Sequence, residues 1–112
     1  MRVLISIKPR LYRESLALTL RRYRPDFEVR VAAPEAPEDV EEEIRSFAPQ
    51  LLVRNDTDGL DEGVLQRVPF RVEVRYSDSM SARIDSNYEV SDISTEGLLR
   101  VADEAAAWLG GA

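Results

Sequence analysis

The sequence predicts a single α/β domain built on an open, mostly parallel sheet with helices on both faces. Short apolar runs of strand length alternate with stretches whose apolar residues recur every three or four positions. Prolines and polar clusters fall between them. The chain is 112 residues long, room for one domain that buries roughly two thirds of its unfolded surface.

The first strand is read at Arg2–Ile7, where Val3-Leu4-Ile5-Ser6-Ile7 is almost continuously apolar, as in a strand covered on both faces. A helix follows from about Arg10 to Tyr23, with Leu16 and Leu20 four apart and Tyr12 and Tyr23 extending the stripe. Pro25 ends it, because the residue before a proline disfavours helix. Arg21, Arg22 and Arg24 suit the negative end of its dipole. The second strand is Phe27–Ala32. Pro37 fits the first turn of a second helix, where a missing N–H is harmless. Val40, Ile44 and Phe47 form its apolar stripe, Glu41, Glu42 and Glu43 its wet side, and Pro49 its end. The third strand is Gln50–Val53, followed by the polar run Arg54-Asn55-Asp56-Thr57-Asp58-Gly59, read as a loop with an acidic turn.

Leu60–Val68 is read as a short helix. Phe70–Tyr76 is a fourth strand in which Phe70, Val72, Val74 and Tyr76 alternate with Arg71, Glu73 and Arg75, the pattern of a strand with one wet face or one near the sheet edge. The polar stretch from Ser77 to Asn87 reads as loop, and a short strand follows near Tyr88–Val90. Ser94 is a candidate N-cap for a last helix, Thr95 to Leu109, with Leu98, Val101, Ala102, Ala105 and Leu109 on its buried stripe and Gly110 at its end. About eleven residues separate the last two strands, whereas a parallel crossover needs a dozen or more. Either the intervening helix is cut to a turn, or the segment pairs as an antiparallel hairpin.

Composition narrows the chemistry. There is no cysteine and no histidine, which removes disulfides, thiol catalysis, thiolate metal sites and the commonest general base. With no acid pair at strand ends either, no enzyme is expected, and no cofactor. The net charge of −6 argues against nucleic acid as the main partner. It is unevenly spread: residues 1–34 hold eight basic and three acidic side chains, a net of +5, and residues 35–62 hold two and ten, a net of −8. The apolar run Val3–Ile7 is too short for a signal-peptide core or a membrane span. A stand-alone, soluble, cytoplasmic domain over residues 1–112 is expected.

R-V-L-I-S-I-K-P-R-L-Y-R-E-S-L at the start of the chain resembles the opening of bacterial response-regulator receiver domains, above all those attached to helix-turn-helix output domains, usually R-V-L-I-V-D-D-H-P-L-F-R-E-G-L. F-A-P-Q-L-L-V-R-N-D-T-D-G-L is similar to that family's third strand and loop, and N-Y-E-V-S-D-I-S-T-E-G-L-L to its fifth strand and the start of its last helix. The resemblance implies a flavodoxin-like sheet of five strands in the order 2-1-3-4-5, here with the fourth helix shortened or missing. It also implies a setting in two-component signal transduction or transcriptional control.

The family's chemistry needs two acids for Mg²⁺, an aspartate that accepts a phosphoryl group, a lysine, and a hydroxyl. By the resemblance these fall on Ile7 and Lys8, on Asn55, on Ser91, and on Tyr76 or Ser77. Isoleucine and an ammonium give a hard cation no oxygen, and a carboxamide is no useful nucleophile. Asp56, one residue on, faces the same missing metal. Lys8 is the only lysine beside fourteen arginines. Its ammonium either fills the vacated metal position, pairing with Asp56 or the Asn55 carbonyl, or reaches into solvent.

The expectation is therefore a degenerate receiver that binds a protein partner without phosphate, with homodimerisation through Trp108 and Leu109. The alternative is an anion or small-ligand sensor using Lys8, Arg10 and Asn55 at the carboxyl ends of the first and third strands.

Overall fold

The computed structural model describes residues 1–8, 10–55, 58–75, 81–84, 88–91 and 95–111. The order of elements is β1 (Arg2–Ser6), α1 (Arg10–Tyr23), β2 (Glu28–Val31), α2 (Pro37–Phe47), β3 (Leu51–Asn55), α3 (Glu62–Leu65), β4 (Phe70–Arg75), β5 (Ser81–Ile84), β6 (Tyr88–Ser91) and α4 (Thr95–Gly111). The first four strands form a parallel sheet in the order β2-β1-β3-β4, as expected. That order is compatible with a flavodoxin-like fold.

Beyond β4 the structure corrects the expectation of a fifth parallel strand. β5 pairs antiparallel with β4 and β6 antiparallel with β5. The strand expected near Tyr88 is present as β6, but β5 stands between it and β4, in a stretch that reads as loop. The reason is length. The connection is too short for a crossover helix, so the chain turns back along the strand it has just left. Two reversals give β6 the direction of β1–β4.

Side chains alternate between two cores. Val3, Ile5 and Ile7, with Leu51, Val53, Val72 and Val74, face α1 and α4, meeting Leu16, Ala17, Leu20, Val101, Ala102 and Ala105. Leu4 and Leu52 face the other way and meet Val40, Ile44 and Phe47 of α2 and Val64 and Leu65 of α3. Every residue of β3 is buried, so β1 and β3 form the centre of the molecule. Where β3 meets α2, Ala48 takes a left-handed conformation (φ 50°) and its N–H bonds the Ile44 carbonyl, closing the helix one residue before Pro49.

The α1 stripe holds at Tyr12, which packs against the core, and departs from the expected one in two residues. Tyr23 is exposed, and Arg13 is buried in line with Leu16, Ala17 and Leu20. The end of α1 is tied to α4 instead by Arg24, whose Nε donates to Asp103 Oδ1 at 2.6 Å. α4 runs through Gly110 to Gly111 rather than stopping at Leu109. The candidate cap Ser94 lies outside the described residues. Among the described residues no helix is long and apolar enough to cross a membrane.

Candidate functional site

The carboxyl ends of β1 and β3 meet where the chain order reverses, the crevice at which open α/β sheets bind ligands. Here the site is built around one peptide group. The Ile7 carbonyl accepts a hydrogen bond from Arg13 Nη1 at 3.2 Å. The N–H of the same peptide, that of Lys8, donates to Asn55 Oδ1 at 2.8 Å. Arg13 comes from the first turn of α1 and Asn55 from the last position of β3, so two elements grip the link that joins β1 to α1. Both side chains are buried, and each keeps a donor without a partner: Arg13 Nε and Asn55 Nδ2. Ser6 Oγ, fully buried on the opposite side of the sheet, has none either. Orphaned polar atoms of this kind are few in folded proteins.

On the α2–α3 face a second polar group is fully matched. Arg54 Nε and Nη2 donate to the two carboxylate oxygens of Asp58 at 2.9 and 2.6 Å, and Nη1 donates to Glu73 at 2.9 Å. The Asp58 side chain is 2% exposed and also accepts the Leu60 N–H. Burial works against the charge on Arg54. Hydrogen bonding and attraction from Asp58, with Glu73 and Glu62 adding, more than offset it, and the guanidinium pKa lies above its ordinary value. Gly59 follows with φ 75°, a conformation suited to glycine. The stretch read as an acidic loop thus begins inside β3, and its Asp58 belongs to a buried ion pair.

The residues singled out from sequence fare differently. Ile7 is in the α1–α4 core with no exposed surface, so its position carries no ligand atom. Lys8 is exposed, and its contact with the Asn55 carbonyl oxygen is made by its main-chain N–H. Arg10 is exposed and paired with Glu14 at 2.9 Å. Asp56, Tyr76 and Ser77 lie outside the described residues, as do the side chains of Ser91 and Leu109. Trp108 is 71% exposed, its ring edge-on to Phe70 with centroids 6.1 Å apart.

Sequence reasoning missed Arg13, Arg54 and Asp58. For Arg13 a signal existed: it precedes Leu16 by three and Ala17 by four, so helical spacing alone puts it on the buried face.

Among the described residues the side chains at this corner are an alkyl group, an ammonium and a carboxamide, which offer a hard cation no pair of carboxylates. Among the described residues no three acidic side chains are gathered in a group that would hold a metal ion. The corner is rich in hydrogen-bond donors and positive charge. No family model, curated protein or solved structure matches the chain.

Proposed function

We propose that this chain is a receiver-like interaction module that binds a protein partner without phosphoryl transfer, in signal transduction or transcriptional control in the cytoplasm. The observation that carries the reading is the use made of Asn55. It stands at the position where the resembling family places its phospho-acceptor, and its Oδ1 is committed to the Lys8 N–H. A side chain used to hold β1 to α1 keeps that connection in one state. The exposed apolar residues are the surface a partner would cover: Leu11 and Leu18, seven apart on one side of α1, and Trp108 on α4. Homodimerisation through the outer face of α4 is the form of association we favour, with Trp108 as its anchor.

The test uses the tagged full chain purified from its own cells. A protein partner is expected in fixed stoichiometry. It is expected to bind wild type equally with and without acetyl phosphate and Mg²⁺, with no phosphoryl adduct by mass spectrometry. A phosphoryl adduct, or an association that changes with the phosphodonor, overturns the reading. Light scattering checks the dimer: mass doubles with concentration in wild type and stays monomeric in Trp108→Glu.

A further inference from the structure

Among the described residues two arginines are buried, Arg54 at 6% and Arg13 at 8% exposure. Their surroundings are opposite. Arg54 meets two carboxylates. Arg13 meets none. The one hydrogen bond of its guanidinium runs to the Ile7 carbonyl, and its Nε is without a partner. A guanidinium carries five N–H donors and cannot lose its charge. Buried charges are as a rule paired, because an isolated one is strongly unfavourable. Here a buried cation has no counter-charge among the described residues.

A second observation lies on the other side of the same peptide. Asn55 is 5% exposed, and its Nδ2 is also unpartnered. Both orphaned groups are donors. Both belong to side chains that hold the Ile7–Lys8 peptide, at the switch point of the sheet. Ser6 lies on the opposite sheet face and is not part of the site.

We propose that this corner binds a small oxyanion of phosphate size, with Arg13 as its charge partner and the Asn55 amide as a second donor. The site keeps Asn55 from the one expected from sequence and puts Arg13 in the place of Lys8 and Arg10. Arg10 already has Glu14. An anion drawing on Arg13 and Asn55 engages the two side chains that hold the start of α1, so occupancy stiffens the β1–α1 connection. The proposal does not depend on the partner reading, and its failure leaves that reading untouched.

The experiment is a titration of the purified full chain with inorganic phosphate at constant ionic strength, with chloride as the control anion. It is followed by calorimetry and by thermal unfolding. Saturable one-to-one binding is expected, with a melting temperature that climbs with phosphate concentration as mass action requires. Arg13→Met should abolish the response while melting no lower than wild type in chloride, because it removes an unmatched buried charge. Asn55→Asp, which sets a carboxylate at the site, should weaken phosphate at least tenfold. Arg10→Gln should leave binding unchanged. Adenosine monophosphate is the second probe. Binding as tight as phosphate assigns the site to the phosphoryl group of an ester, and binding of phosphate alone assigns it to the free anion. No saturable phosphate response in wild type overturns the proposal. So does a response that persists in folded Arg13→Met.

Discussion

Arg54 and Asp58 are set four residues apart, yet they do not share a helix. Arg54 is the penultimate residue of β3 and Asp58 lies beyond the end of that strand, and both side chains are under 10% exposed. Removing one member of such a pair strands the other in a dry environment. Arg54→Met is therefore expected to lower unfolding free energy by about 3 kcal/mol or more, read from the midpoint of urea unfolding. Arg54→Met combined with Asp58→Leu should recover part of that loss, the coupling that a double-mutant cycle measures. Asn55→Ala is expected to cost about 1–3 kcal/mol, since it leaves the Lys8 N–H without its acceptor. These residues were not legible from hydropathy, which counts arginine, asparagine and aspartate as wet. Arg54 is dry because two carboxylates reach it from separate segments, and nothing local to Arg54-Asn55-Asp56 says that Glu73 will lie beside it.

Helices α1 and α2 were legible at the scale of the element. Val40, Ile44 and Phe47 recur at four and three and are buried together, and Pro37 opens α2 as expected. The spacing argument erred at its last residue: tyrosine at position 23 continues the α1 stripe by count, but its ring is exposed. The end of α2 offers a direct test. Ala48 holds φ 50°, which disfavours any side chain with a Cβ. Ala48→Gly should raise stability by about 1 kcal/mol, seen as a higher urea midpoint at unchanged slope.

The tie between α1 and α4 gives a pH test. The hydrogen bond from Arg24, opposed by some desolvation, holds the Asp103 carboxyl below its ordinary value of 3.8. A carboxyl lowered in the folded state stabilises above its unfolded value, and that contribution fades as pH falls through the lower folded one. Asp103→Asn should therefore melt a few degrees below wild type at neutral pH, an effect kept small by exposure and screening. The two should converge in strong acid.

For the whole molecule, burial is graded across the sheet. β1 and β3 are covered on both faces, and all five residues of β3 are buried, whereas β2 at one edge buries only Val29. Hydrogen exchange should be slowest in β1 and β3, close to the rate set by global unfolding, and faster by at least tenfold in β2. The order β2-β1-β3-β4 was legible from alternating strands and helices. The far side was legible only as a choice between a curtailed helix and an antiparallel hairpin; the pairing is antiparallel, but the strand β5 itself was not foreseen. β5 contains only Ala82 and Ile84 as apolar residues within a polar stretch, and its pairing depends on β4 being beside it. Because β4 and β6 share a direction, the chain leaves the pair β5–β6 at the same rim of the sheet where it entered. The pair is thus a closed excursion, and α4 begins at the same rim whatever its length. A different two-strand unit grafted in place of residues 76–91 would reshape that edge of the protein while leaving the Arg13–Asn55 corner and the α1–α4 layer in register. Diversity can accumulate there under separate selection from the rest of the chain.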